Sequence, residues 1–352
     1  MSNLFLFLAV CLYCIWLAGA VQLSDLMTIA GGNTFGGCAG RLGPPDILDA
    51  WHEESIDSLS VAIDALVNKW DQNNNDGRRV RAALNVFFRI PPNRGATSRS
   101  LKNTIQRNLG RVFDWLQDDL EGIPPASTFL FCDSTFLVQK NAATDQAQDY
   151  QGRGITVNNN PITIGGVTVY ANNLRGGNIP WWSGNRSPIN GYYFAGPNSG
   201  GNYCNDPGHY GLTSTLNALR GNPSGGQPVT HAQYQSVILC PSAFDNTVQV
   251  NSWNAGNAAT QVGTSLQAVT PKSTTLMHEA FHVVFGTQML QGDSEIYTLA
   301  RCVAATANPS RRNPESYVYF VAAMYYLFGD PADGVIATNW NFAETPGNAQ
   351  VP

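Results

Sequence analysis

Apolar and polar positions alternate with two different periods along this chain, and the change of period divides it into three regions. From about 45 to 122, Leu48, Trp51, Leu59, Ala62, Ile63, Leu66 and Trp70 recur at helical spacing, and Leu101, Ile105, Leu109, Val112, Phe113, Leu116 and Leu120 repeat the pattern. Both stripes predict core-facing helices. Pro44-Pro45 marks the start of the first, and Asn73-Asn74-Asn75-Asp76-Gly77 ends its neighbourhood.

From about 126 to 270 the pattern shortens to strands and loops. Thr128–Cys132 and Ser236–Cys240 read as short apolar strands, the second stopped by Pro241. Ile162–Val169 alternates on both sides of Gly165-Gly166 and predicts a hairpin. The stretch from 178 to 211 carries so much Gly, Pro and Asn that it predicts irregular chain, with Trp181, Trp182, Tyr192 and Tyr193 buried within it. Helical spacing returns from 270 to 330. Thr270 is the expected N-cap of a helix with Pro271 at its first position and Gly286 at its end. With no internal repeat and no linker, the arrangement predicts one α+β domain over residues 21–352.

The N-terminus adds a destination. Leu4 to Leu17 is an apolar run followed by Ala18-Gly19-Ala20, which reads as a secretory signal peptide over residues 1–20. The run falls short of the ~20 residues a membrane span needs. Only 13% of the 352 residues are charged, against roughly 25% in an ordinary globular chain, and the interval 151–270 is nearly neutral. A net charge of −5 without a basic run argues against nucleic acid or an anionic membrane as partner. Beyond the leader lie Cys38, Cys132, Cys204, Cys240 and Cys302, widely spaced as disulfide cysteines are; five is odd, and the connectivity is open. Asn185 heads the only glycosylation sequon. A secreted, extracellular monomer is expected.

The chemistry lies in the third region. His278-Glu279-Ala280-Phe281-His282 is His-Glu-x-x-His, which on a helix puts both imidazoles on one face a turn apart, able to hold Zn2+ at about 2.0–2.1 Å. Glu279 points beside that face and is suited to act as a base rather than a ligand. Leu276, Met277, Phe281, Val284 and Phe285 can bury the rest of the helix. His52, His209 and His231 lack such a setting and read as structural. A catalytic zinc needs a third protein ligand. The metzincin pattern is excluded by Phe285 and Gln288, and a thermolysin-type site finds Cys302 where an acid is needed. The acids that follow closely are Asp293 and Glu295, ahead of Tyr297.

His-Glu-x-x-His, then Gly286-Thr287, then an acid and a Tyr at the head of a helix resembles the deuterolysin or aspzincin family, which includes fungal lysine-specific metallo-endopeptidases. "VILCP" before the zinc helix and "NPESYVYF" at 313–320 fit the same family, and the resemblance covers roughly 235–328. It implies a zincin-like fold and a zinc endopeptidase acting on protein or peptide. His278 and His282 would be ligands, Asp293 the third ligand with Glu295 its alternative, Glu279 the general base, and Tyr297 a donor to the oxyanion. The family's third ligand is an Asp soon after Gly-Thr with a Tyr three residues on. Here Gln288–Gly292 intervene, and Tyr297 stands four after Asp293 and two after Glu295. Lysine-specific members carry two acids three apart in the "NPESYVYF" segment. Glu315 matches the first as a substrate-binding residue, or else fills the second position of a helix capped by Asn313, while Val318 replaces the second acid. The strand at 236–240 is expected to lie beside an extended substrate. Two readings compete: an inactive relative that binds zinc or a partner, and an interaction protein using the aromatic loop at 181–193.

Overall fold

The computed structural model describes residues 21–42, 46–184, 190–196, 200–289, 295–329 and 340–350. The signal segment, the Asn185 sequon, Pro44-Pro45 and Asp293 lie outside the described residues. The architecture is α+β, a mixed sheet covered by helices.

Three long helices come first: α1 (Ile47–Asp64), α2 (Asn75–Phe88) and α3 (Ala96–Leu116). Asp46 caps α1 by accepting from the Leu48 and Asp49 amides, and α1 runs on into a π-helical turn over Ala65–Lys69. Asn74 caps α2 by accepting from Gly77 N. The Asn-rich stretch is therefore not only an ending; the next helix begins inside it.

The sheet has seven strands: β1 (Thr28–Ile29), β2 (Thr128–Phe131), β3 (Val138–Gln139), β4 (Ile179–Trp182), β5 (Tyr192–Ala195), β6 (Gly211–Arg220) and β7 (Val229–Leu239), in the order β1-β2-β7-β6-β5-β4-β3. β1, β2 and β7 are parallel neighbours, and the remaining pairs are antiparallel. The strand expected near 236–240 is the end of β7. It lies between β2 and β6, with both edges in use.

Two expectations for the middle region need correction. The segment 162–169 is not a hairpin but two 3₁₀ turns, Ile164–Gly166 and Thr168–Tyr170. Ile164 and Val167, three apart, both reach one buried cluster, so a three-residue period overrides the apparent alternation. A small hairpin instead joins Thr156–Val157 to Asn160–Pro161. Its turn residues Asn158 and Asn159 both have positive φ, the left-handed conformation that Asn tolerates. Nor is 178–211 irregular throughout, because it supplies β4 and β5. Trp181 and Tyr193 pack on one face of the sheet, and Trp182 and Tyr192 on the other. These four rings are core, which removes the aromatic groove.

Two late helices complete the core: α4 (Thr274–Phe285) and α5 (Pro314–Phe328). α4 lies between the sheet, at β6 and β7, and helices α1, α3 and α5. α5 is buried from Ser316 to Leu327, as a helix apolar on every side must be. Phe88, Phe281, Tyr317 and Phe320 meet in this layer. Disulfides join Cys38 to Cys132 and Cys204 to Cys240, while Cys302 is a buried free thiol. No helix among the described residues is long and apolar enough to cross a membrane.

Candidate metal centre

α4 starts later than its sequence suggests. Thr270 belongs to the preceding short helix, Leu266–Val269, where its hydroxyl donates to Leu266 O. Thr274 turns back to Pro271 O, and α4 begins there with Ser273 before it. Gly286 closes it as expected, at φ 51°, in the left-handed region that favours glycine.

On this helix His278 and His282 face the same side, with ring centroids 5.2 Å apart. Glu295 completes a group of three. Its Oε1 lies 2.8 Å from His278 Nε2 and 3.0 Å from His282 Nε2. Two imidazoles and one carboxylate, all with ligand atoms within 4.8 Å of one another, can hold a metal ion. Among the described residues the third position falls to the alternative acid, Glu295.

Surrounding groups fix this set. Glu315 Oε2 lies 2.8 Å from His278 Nδ1, on the far side of the ring from Glu295. A carboxylate behind a histidine ligand sets its tautomer and orientation. Glu315 therefore fills the second position of α5 and in addition orients His278. It also borders a cavity of about 360 Å³, but its carboxylate is engaged with His278. The Tyr297 hydroxyl donates to Glu295 Oε2 at 2.6 Å. Burial opposes charge on His278, but the adjoining Glu295 and Glu315 carboxylates overcome it and raise its pKa well above 6.5. Burial would push Glu295 up; the two histidines prevail and hold it below the usual carboxylate range.

Glu279 stays out of the ligand set. Its Oε2 accepts from Thr213 Oγ1 at 2.8 Å, across the gap to β6. Burial raises its pKa above 4.5 although both histidines act in the other direction. Gly211 makes room for it: a Cβ there would stand 2.4 Å from Glu279 Oε1.

The centre opens into a cleft of about 590 Å³ between α4 and the first half of β6. β5 pairs with β6 only at Tyr192–Asn217, so among the described residues no strand covers the outer edge of 211–216. The Tyr203 hydroxyl caps that edge at one point by donating to Gly211 O at 2.6 Å. Since strand residues alternate, the amides of Thr213 and Thr215 face the same side as Gly211. The edge available to an extended chain therefore belongs to β6, not to the 236–240 strand.

Elsewhere His52 is buried against Leu116 O, His209 bonds Tyr203 O and His231 stacks on Tyr150, all structural roles. Sequence reading missed Gly211 and Thr213, which meet Glu279 where β6 packs on α4, with Thr213 66 residues before Glu279, and Tyr203, which reaches them from the 3₁₀ turn Gly200–Asn205. Family models, curated proteins and solved structures, compared with this chain, gave no match.

Proposed function

We propose that this chain is a secreted zinc endopeptidase of the deuterolysin or aspzincin kind. The observation that carries the reading is the pairing of a His278/His282/Glu295 ligand set with an unliganded, strand-held Glu279 at the floor of an open-edged cleft. Zinc suits the donors. Ligands about 2.0–2.1 Å from a tetrahedral centre stand about 3.3 Å apart, so the observed 2.8 and 3.0 Å need expand by only a few tenths of an ångström. Two imidazoles and a carboxylate also leave the fourth position open, as catalytic sites do.

Bound zinc would supply Lewis acidity and a water acidified towards neutral pH. The protein's own groups do the rest. Glu279, with its pKa raised by burial, takes a proton at its carboxylate and returns it to the leaving amine. Thr213 holds that carboxylate in place. The β6 edge receives an extended peptide by backbone pairing, which fits hydrolysis within a chain. Tyr297 is placed to donate to a developing oxyanion once its hydroxyl leaves Glu295 Oε2. The two disulfides accord with an oxidising, extracellular setting. Glu315 is occupied with His278, which favours broad side-chain preference over lysine specificity.

The same Tyr297–Glu295 bond favours the second reading, a metal-binding relative without turnover, because it engages the hydroxyl that catalysis needs. Purified protein incubated with a defined peptide mixture, with products read by mass spectrometry, decides between them. Cleavage by the wild type and not by Glu279→Gln supports the peptidase. Zinc bound in both without cleavage in either leaves the second reading.

A further inference from the structure

Residues 295–297 belong to no helix or strand, yet they carry one ligand and one hydroxyl of the site. A loop free to shift by an ångström would not hold a metal ligand in register. Alongside the Cys302 thiol on Ile296 O and the Tyr319 hydroxyl on Tyr297 O, one side chain holds it at two points. Asn313 Oδ1 accepts from Ile296 N at 2.9 Å, and Asn313 Nδ2 donates to Ile296 O at 2.9 Å. Both backbone groups of the residue between Glu295 and Tyr297 are thus satisfied by one amide, as a neighbouring strand would satisfy them. Asn313 is 1% exposed.

The amide's position makes this choice informative. Asn313 precedes the first residue of α5, where Asn normally caps the helix. It makes no side-chain cap bond here. Besides a 3.3 Å contact to Ser316 Oγ in its own helix, the amide gives its two shortest bonds to the loop. The same end of α5 reaches the site twice more, through Glu315 to His278 Nδ1 and through the Tyr319 hydroxyl to Tyr297 O at 3.3 Å.

We infer that Asn313 is a positioning residue of the metal centre, clamping the Glu295–Tyr297 segment so that the third ligand meets the two histidines of α4. This rests on the metal-binding part of the functional reading alone. The clamp and the ligand lie in series, so the two Asn313 bonds to Ile296 act on the metal through Glu295.

Zinc affinity, measured by competition with a chelator on the full secreted chain, tests it in a double-mutant cycle. Asn313→Ala is expected to weaken zinc binding by roughly 10–100-fold, the range found for groups that orient ligands. In a Glu295→Ala background the same change is expected to add less than about twofold, because the group it positions has gone. Equal weakening in both backgrounds overturns the inference, as does unchanged affinity in Asn313→Ala. Should Asn313→Ala fail to fold, Asn313→Asp keeps the shape and the acceptor for Ile296 N while removing the donor to Ile296 O. With cobalt in place of zinc, its visible absorption is expected to move towards that of Glu295→Ala, and a wild-type spectrum overturns the inference. Neither readout depends on peptide cleavage, so an absence of hydrolysis sinks the peptidase reading and leaves the clamp standing.

Discussion

Under the proposed function, Gly211→Ala should separate metal binding from hydrolysis. What the glycine contributes is space. An added Cβ would stand 2.4 Å from Glu279 Oε1 and 2.9 Å from both Cδ and Cγ of that side chain. Ordinary contact begins near 3.4 Å, so one partner must retreat by about 1 Å. β6 cannot give easily, being paired with β7 along its whole length. Glu279 moves instead and loses the 2.8 Å bond from Thr213. A misplacement of about 1 Å costs on the order of 100-fold in rate, so kcat/KM on a defined peptide should fall by about that factor. Zinc content and zinc affinity should stay at wild-type level, because the three nearest atoms to the new methyl all belong to Glu279. Thr213→Val is the milder counterpart. It frees Glu279 without displacing it, and since the Thr213 bond lowers the Glu279 pKa, the acid limb of the pH–rate profile should shift upward. A Gly211→Ala protein that binds zinc and cleaves at the wild-type rate would refute this placement of the base.

Glu315→Gln should weaken zinc binding by roughly 10–100-fold by loosening His278, and calorimetric titration with zinc checks it. Zinc at about 100 times its dissociation constant should stabilise the folded chain by about 2.7 kcal/mol; a melting temperature unchanged by chelator would contradict a bound metal. His52 provides a pH test away from the centre. Burial lowers its pKa below 6.5, so the folded state refuses a proton that the unfolded chain accepts. Stability should therefore fall as pH drops below 6.5, by at most about 1.4 kcal/mol per pH unit. His52→Gln should flatten that slope in urea unfolding at several pH values, and an unchanged slope would assign the dependence elsewhere.

The helices and the motif were legible because their information is local. Leu48, Leu59, Ile105 and Leu109 sit where their spacing places them, all fully buried. His278 and His282 share a face for the same reason. The third ligand was harder, since Glu295 lies 13 positions beyond His282 and no period runs through the intervening segment. Two acids were on offer, Asp293 and Glu295, and the one among the described residues that faces the histidines lies beside Ile296, whose backbone Asn313 holds at both ends. At 162–169 the alternation was real but served a tighter turn, because Ile164 and Val167 were drawn to one cluster. The Asn158-Asn159 turn carried a readable sign of the actual hairpin. Thr213 and Gly211 left no local trace, because their meaning comes from a strand pairing and a helix contact made only in the folded chain.

Burial of α5 on every side has a consequence for the order of events during folding. His278 and His282 are translated before Glu315, and the loop bearing Glu295 is held by Asn313, one residue ahead of α5. Until α5 inserts between α1, α2 and α4, the nascent chain owns two histidines on a helix with nothing to orient them. For a chain that binds the metal as proposed, high-affinity capture is then a late event, completed only when α5 docks. A chain truncated before residue 313 would carry the whole His-Glu-x-x-His motif and yet lack the centre.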